Sequence, residues 1–146
     1  MKAMNQIHMI AYISDFKGEE RDIDSVIAEI VQVAKIENQK RRITGALFFL
    51  DGQFLQVIEG KEADLRQLMF NIENDNRHHN IECLIDTAVQ QRGFQQWNMD
   101  SFHLNSGQKF SREVIKDLTA SFKKNLLPKS DMLVLYYKAL LKQRVV

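Results

Sequence analysis

The sequence predicts an α+β fold, a ferredoxin-like sheet of about five strands with two helices on one face and C-terminal helices on the other. Three observations support this prediction. Strand and helix periods alternate in the order strand–helix–strand–strand–helix–strand, and one more strand follows. The third strand, residues 53–60, is apolar on both faces, so both faces of the sheet need a cover. Two amphipathic stretches after the last strand can provide the second cover.

The first strand and the first helix differ in their hydrophobic period. Residues 7–14 alternate with the strand period of two, which places Ile10 and Tyr12 on one face. After a polar, acidic loop, residues 22–38 carry apolar side chains at helical spacing. Asn38 lies only about 20° from Ile27 on the helical wheel. A polar carboxamide is therefore predicted on the buried face at the end of this helix.

A hairpin is predicted between the second strand, residues 41–50, and the third. Asp51-Gly52 joins them, and this dipeptide favours a type I′ turn because both central residues need positive φ. The remaining predicted elements are a helix over residues 61–75, a loop that contains Arg77 and His78, and strands over 81–89 and 97–104.

Residues 105–146 are predicted to be a C-terminal helical extension that belongs to the same compact unit as residues 1–104. Its two short amphipathic helices are separated by Pro128, which interrupts helical structure. We expect them to pack on the back of the sheet or on a partner subunit. No internal repeat or shift in composition indicates a second domain.

Composition and charge exclude several classes of function. The 20 Lys and Arg residues nearly balance the 19 Asp and Glu residues, so a net charge of +1 gives no bulk attraction to nucleic acid or to an anionic membrane. The single cysteine, Cys83, excludes a disulfide framework, and its alternation with Ile81 and Ile85 predicts a buried structural thiol. The adjacent histidines 78 and 79 lack suitably spaced partners, so no metal site is expected. A soluble cytoplasmic protein without a membrane span is the expectation.

Gln56 is a primary amide in the middle of the apolar stretch QFLQVIEG. Burying such a group without partners costs about 1–3 kcal/mol. The predicted faces bring Gln56 to the same side of the sheet as Tyr12 and Asn38, and together they offer both donors and acceptors. They could satisfy one another as a structural network, or they could bind the polar edge of a planar heteroaromatic ligand. The residues alone favour the structural network.

Five short motifs occur in a fixed order along the chain. They are AYIS at 11–14, Asn38 followed by ITGAL at 43–47, GQFLQVIEG at 52–60, DNRH at 75–78 and RGFQQWNM at 92–99. Over about residues 8–104 the chain resembles BLUF domains, the small flavin-binding sensors of blue light. ITG alone would be weak evidence, whereas the joint run of ITG, FLQxxEG, DxRH and WxM is highly specific. The tail has no effector enzyme signature and resembles that of the short members of the family.

The resemblance implies a non-covalently bound flavin, FAD in the first place, with FMN or riboflavin as alternatives because the ring contacts would be the same. Asn38, Gln56, Arg77 and His78 would contact the polar side of the ring. The apolar walls, chosen from the predicted helix and strand faces and not from a motif, are Ile30, Phe54 and Ile72.

The resemblance also implies photochemistry and no catalytic turnover. After excitation of the flavin by blue light, Tyr12, linked through Gln56, would donate an electron and a proton, and Gln56 would end rotated or tautomerised. Trp97 and Met99, predicted on one face of the fifth strand, match the pair that exchanges places near Gln56, and the sequence leaves open which of them lies inside. The signal would pass through the fifth strand and the C-terminal helices to an unidentified downstream protein, and we expect a homo-oligomer, a dimer or larger.

Three other functions are compatible with this order of strands and helices. An acylphosphatase-like hydrolase would need an arginine in a phosphate-binding loop, but the loop after the first strand, DFKGEE, is acidic. An RNA-binding module would need an exposed basic and aromatic sheet face. A non-photochemical ligand-binding or oligomerisation module remains the main alternative, and a yellow purified protein would exclude it.

Overall fold

The structure, a computed structural model, describes residues 6–104, 109–126 and 130–143. Its elements are β1 (Ile7–Phe16), a short 3-10 turn (Glu20–Asp22), α1 (Ile23–Lys40), β2 (Thr44–Leu50), β3 (Gln53–Gly60), α2 (Glu62–Glu73), β4 (His78–Val89), β5 (Asn98–His103), α3 (Arg112–Asn125) and α4 (Asp131–Leu141). The predicted fold class is confirmed.

The five strands form one mixed sheet in the order β4-β1-β3-β2-β5. The first four are antiparallel to their neighbours in the ferredoxin-like order, and β5 extends the sheet by pairing parallel to β2. β1 and β3 are central, and their register sets Tyr12 directly opposite Gln56. The β2–β3 turn has the positive φ predicted for both of its central residues, 49° at Asp51 and 80° at Gly52.

The two faces of the sheet carry separate hydrophobic clusters. α1 and α2 cover what we call the front face, where Ile27 and Leu65 meet sheet residues such as Ile58. α3 and α4 cover the back face, where Phe122 and Tyr136 pack on the sheet. The prediction that both faces are covered is therefore confirmed, with the tail helices on the sheet itself. Pro128 and residues 105–108, where the predicted boundary of the extension falls, lie outside the described residues.

Both tail helices begin at a serine that caps the first turn. The side chain of Ser111 accepts a hydrogen bond from the backbone N–H of Val114, and that of Ser130 accepts one from the N–H of Met132. Such caps satisfy N–H groups that have no partner within the helix. Across the described ranges, no helix has both the length and the apolar character needed to cross a membrane.

A bulge in β4 makes the prediction of a buried Cys83 wrong. Ala11 pairs with Ile85 but Tyr12 pairs with Cys83, so Leu84 is an extra residue in the ladder. The extra residue breaks the alternation of faces. Ile85 turns into the back cluster, whereas Cys83 lies at the exposed edge strand and is exposed.

Candidate functional site

A cavity of about 260 Å³ lies on the front face, between α1, α2 and the sheet. Eight of the residues predicted to form the functional site line this cavity. They are Tyr12, Ile30, Asn38, Phe54, Gln56, Ile72, Arg77 and His78. Five elements, β1, α1, β3, α2 and β4, and the turn before β4 supply them, which explains why no short segment of sequence could reveal the site alone. The cavity combines apolar side chains, such as Ile30 and Ile72, with convergent polar groups that could orient a ligand.

Gln56 has partners at both ends of its amide. Tyr12 donates its hydroxyl hydrogen to Oε1 of Gln56, and Nε2 of Gln56 donates to the Sδ of Met99 at 3.1 Å. Tyr12 is 3% exposed and Gln56 5%. Burial raises the pKa of the Tyr12 hydroxyl well above its ordinary value, and the negative charge of Asp75 adds to this effect. Tyr12 therefore keeps its proton and remains the donor to Gln56.

Asn38 carries a buried donor that faces the cavity. Its side chain is 2% exposed, and Nδ2 has no hydrogen-bond partner among the residues that the structure describes. Its position is fixed, because its backbone carbonyl accepts hydrogen bonds from the N–H groups of Arg41 and Ile43. An unsatisfied buried donor costs about 1–3 kcal/mol. An acceptor on a ligand in the cavity would remove that cost, and the carbonyls and ring nitrogens of a flavin are such acceptors.

Arg77 and His78 lie at the edge of the cavity nearest the end of α2. Arg77 donates from Nε to Oδ1 of Asp75 at 2.9 Å, and its guanidinium lies 3.7 Å from a carboxylate oxygen of Glu29. The hydrogen bond from Arg77 holds the pKa of Asp75 below its usual range. Arg77 is thus already paired with carboxylates at this end of the cavity.

His78 is the first residue of β4, so its predicted position in a loop is wrong. The strand is longer than expected because His78 pairs with Phe16 of β1. The Ile72 carbonyl lies 2.8 Å from Nε2, and a carbonyl can only accept, so Nε2 carries the hydrogen. Nδ1 then accepts from the Ser14 hydroxyl at 2.7 Å. The ring therefore ties the end of α2 to β1 while its surface lines the cavity.

The prediction that Trp97 and Met99 share one face is wrong. Gly45 pairs with Asn98 and Ala46 with Asp100, so Met99 is an extra residue in β5, and its φ is +65°. A bulge of this kind redirects a side chain. Met99 is buried in the front cluster against Gln56, whereas Trp97, just before the strand, packs against the back cluster. Met99 is thus the inner residue in this structure.

The ITG motif acquires a physical reason at Gly45. A Cβ on this residue would lie 1.9 Å from the backbone oxygen of Val57, so no side chain fits between β2 and β3 here. The N–H of Gly45 also donates to the carbonyl of Trp97 at 2.8 Å. At Gly45 the backbone of β2 can therefore approach β3 closely because glycine has no side chain. The hydrogen bond from Gly45 to Trp97 holds the start of β5 next to β2.

Two kinds of residue escaped sequence reasoning. Glu37, Arg41 and Asn71 line the cavity, but Glu37 and Asn71 lie on helix positions that the apolar pattern does not mark, and Arg41 directly follows α1. Glu59 is fully buried at the end of β3. A carboxylate that ends an apolar strand was the available signal for Glu59, although its partners come from a distant loop. Within the described parts of the chain, no group of three or more His, Cys, Asp or Glu side chains could hold a metal ion.

Comparison with known proteins decides the family. The sequence model of BLUF domains, described as sensors of blue light using FAD, matches residues 7–100. The chain belongs to the BLUF family. This BLUF chain is 30% identical over 100 residues to photoactivated adenylate cyclase subunit beta of Euglena gracilis, which covers 68% of this chain and 12% of that protein. It is 32% identical over 91 residues to the blue light- and temperature-regulated antirepressor BluF of Escherichia coli strain K12, covering 61% and 23% respectively.

A solved structure supports the same fold. BlsA in its photo-activated state matches with a TM-score of 0.68 and 22% identity, over 96% of this chain and 99% of the BlsA chain. The BLUF chain spans only 12% and 23% of the two relatives named above, so cyclase and antirepressor activity are properties of those proteins. In residues 6–104, 109–126 and 130–143, every element apart from the short 3-10 turn belongs to the sheet, its front helices or α3 and α4. The described part of the chain is a BLUF domain, of the family described as sensors of blue light using FAD, with α3 and α4 packed on its sheet.

Proposed function

We propose that this chain senses blue light through a switch formed by Tyr12, Gln56 and Met99, beside a flavin held non-covalently in the front cavity. The observation that carries this proposal is the continuous contact from the Tyr12 hydroxyl through the Gln56 amide to the Met99 sulfur. The chain of contacts is buried and borders a cavity that also presents the unpartnered donor of Asn38, considering the described residues only.

The residues around the cavity suit a planar ring with one polar edge. Asn38 would donate to an acceptor on that edge, Gln56 would approach it from the sheet, and Arg77 and His78 would border it. Ile30 of α1 and Ile72 of α2 would cover the two faces of the ring, with Phe54 below it. When bound, the flavin would supply light absorption and oxidising power. We infer FAD, the cofactor that the family description names, while FMN and riboflavin would make the same ring contacts.

The switching step belongs to the Gln56 amide. Turning the amide by 180° exchanges Oε1 and Nε2, so the donor to Met99 is lost and Tyr12 faces an NH₂ group in place of a carbonyl. Burial raises the pKa of Tyr12, which disfavours loss of its proton alone. The two amide orientations thus differ in whether β5 is tied to Gln56 through Met99, which makes the contact a two-state element.

We propose that the state of β5 is passed on to α3 and α4 and from there to a downstream protein. Residues 1–104 would be the sensor and residues 105–146 its output extension, in a homo-oligomer in the cytoplasm. The packing of α3 and α4 on the sheet supports this route, because these helices share the back cluster with residues of β2 and β5.

The test is an absorption spectrum of the purified chain before and after blue light, followed by release and identification of the chromophore. We expect a yellow protein, a small red shift of the flavin bands in the light and return in the dark. A colourless chain that cannot be reconstituted with any of the three flavins would contradict the proposal and favour the non-photochemical alternative.

The variant Tyr12→Phe should bind flavin and fold but show no light-induced red shift, because the donor to Gln56 is removed. Tyr136→Phe is the matched control, since Tyr136 is a buried tyrosine on the back face whose hydroxyl donates to the backbone carbonyl of Gln53 at 3.0 Å. It should keep the photocycle and lose only about 1 kcal/mol of stability. Spectra at equal flavin occupancy compare the two, and a normal red shift in Tyr12→Phe would remove Tyr12 from the switch.

A further inference from the structure

Glu59 is a buried carboxylate whose contacts are mostly with one loop. It lies on β3 three residues after Gln56, and it is 0% exposed. Oε2 accepts from the N–H of Gly93 at 2.6 Å, and Oε1 accepts from the N–H of Phe94 at 2.9 Å and from the Thr44 hydroxyl at 3.2 Å. Two successive backbone N–H groups aimed at one anion form a nest, a strong arrangement for a carboxylate.

Arg92 completes this arrangement. Its guanidinium donates to the Thr44 hydroxyl at 2.8 Å and to the backbone carbonyl of Glu59 at 3.0 Å. Burial raises the pKa of Glu59, while the N–H groups of Gly93 and Phe94, the Thr44 hydroxyl and the charge of Arg92 act in the opposite direction. A neutral glutamine would avoid the cost of burial but would offer only one acceptor to two N–H groups.

The loop bound by Glu59, residues 91–97, runs directly to the switch. Trp97 donates from its backbone N–H to the carbonyl of Phe94 at 2.9 Å, and the carbonyl of Trp97 accepts from Gly45. Two residues later comes Met99, whose sulfur accepts from Gln56. The loop is therefore held at one end by Glu59 and at the other by the Gln56–Met99 contact.

The same loop is the contact surface for α3. Phe94 meets Phe122 edge to face, with the ring centroids 6.1 Å apart. Asn125 donates to the carbonyl of Gln91 at 3.2 Å. Gly93 lies so near that an added Cβ would be 3.3 Å from the backbone oxygen of Ser121. Any shift of this loop relative to the sheet must move its contacts with α3.

We propose that Glu59 is a positioning residue that fixes the 91–97 loop to the sheet, so that a change in the Gln56–Met99 contact reaches α3 as a change in helix packing. The inference rests on the proposed photoswitch and adds to it a specific connection between sensor and tail. Without the carboxylate, the loop can yield locally, and the change at Met99 is absorbed before it reaches Phe94 and Phe122.

The experiment uses the full chain loaded with flavin and compares Glu59→Gln with Glu73→Gln, a control on the exposed outside of α2. Hydrogen exchange is measured in the dark and under blue light, together with the absorption spectrum. We expect Glu59→Gln to keep the light-induced red shift, to exchange the Gly93 and Phe94 amides at least about tenfold faster in the dark, and to lose the light-induced change in α3. The control should behave like the unaltered chain, and Glu59→Asp should restore part of the α3 response.

If Glu59 had only a structural role, Glu59→Gln would speed hydrogen exchange equally in light and dark. The light-induced difference in hydrogen exchange of α3 is therefore the deciding quantity. If Glu59→Gln shows a normal red shift and the full light-induced change in hydrogen exchange of α3, the role of Glu59 is overturned while the proposed photoswitch stands. An unaltered chain with a red shift but no α3 response would also overturn the role of Glu59, whereas an unaltered chain without a red shift would contradict the proposed function. If Glu59→Gln yields no folded protein, Thr44→Val decides, because it removes the sheet-side donor to Glu59. The light-induced change in α3 should then be weakened, and an unchanged α3 response would overturn the role of Glu59.

Discussion

The front and back faces of one sheet differ sharply, although the same strands build both. On the back face, Phe48 stacks on Phe102 with centroids 5.4 Å apart and meets Phe122 edge to face at 5.1 Å. On the front face, Tyr12 and Gln56 form a polar contact at the edge of a cavity. The back face is packed for stability, whereas the front face leaves packing incomplete to hold a ligand. Function is located where the core is least complete.

Strand β3 shows the division within one segment. Leu55 and Val57 belong to the back cluster, while Phe54 and Ile58 belong to the front cluster and Gln56 lies between them. Because the two sets alternate, a single strand connects the site with the surface on which α3 and α4 pack. This alternation gives a short physical route from the cavity to the tail.

The largest expected effect on stability separates the two faces directly. Phe48→Ala should lower the free energy of unfolding by about 3–5 kcal/mol, because it opens a hole in a filled core. Phe54→Ala in the flavin-free chain should cost about 1 kcal/mol less, since its ring already borders the cavity and the site can relax. Urea unfolding of both variants measures the difference.

Bound flavin should narrow the difference in stability loss between these two variants. Addition of flavin should stabilise Phe48→Ala as much as it stabilises the unaltered chain, but it should stabilise Phe54→Ala less. The two faces would not differ in this way if both flavin-free variants lost the same free energy of unfolding and flavin stabilised both variants equally.

The next effect concerns the unpartnered donor on the front face. Asn38→Leu should weaken flavin binding about tenfold, because one hydrogen bond in the site is worth about 1 kcal/mol or slightly more. The same variant without flavin should be as stable as the unaltered chain or more stable, since a buried donor without a partner has been removed. Titration with flavin gives the affinity, and urea unfolding gives the stability of the flavin-free variant. A loss of stability without flavin would show that Nδ2 has a partner inside the protein.

Much of the front face was predictable from the hydrophobic periods of the strands and helices alone. The strand and helix periods placed Tyr12, Asn38 and Gln56 on one side, and Ile30, Phe54 and Ile72 around them, and all six line the cavity. The roles of these residues beside a flavin stay predictions. The Asp51-Gly52 turn was predictable because its requirement for positive φ is local.

The errors at Cys83 and at Trp97 and Met99 have a common physical cause. Counting alternate residues along a strand predicts that Trp97 and Met99 share one face and that Cys83 lies in the interior. In each case a bulge adds one residue, and whether a bulge forms depends on pairing with a distant strand. The partners of Glu59 were missed for a similar reason, because Gly93 and Phe94 are more than 30 residues away, as their contacts record.

The smallest expected effect lies at the edge of the front face, where ion pairs tie α2 to the sheet. Asp86, 35% exposed, accepts from Arg66 of α2, and His8 of β1 lies 2.6 Å from it. The hydrogen bonds from Arg66, and then from His8, lower the pKa of Asp86 to about 2. Because the pKa of Asp86 is lower in the folded protein, this carboxylate adds stability at pH values above its ordinary pKa of about 4. This stability is lost as the pH falls through about 2.

Asp86→Asn should therefore reduce the free energy of unfolding at pH 7 by no more than about 1 kcal/mol, because an exposed pair is screened by water. The difference from the unaltered chain should narrow as the pH falls from 5 towards 2. Urea unfolding across this range tests the sign. A difference that grows on acidification would contradict the assignment of the low pKa to this pair.

The most direct test of the central claim is the light-minus-dark absorption spectrum of flavin-loaded Gln56→Leu. Gln53→Leu is the control, because Gln53 starts the same strand and bonds Asp15 outside the cavity. We predict that Gln53→Leu keeps the red shift, while Gln56→Leu binds flavin and shows no red shift. A normal, reversible red shift in Gln56→Leu would contradict the claim that the Gln56 amide is the switch.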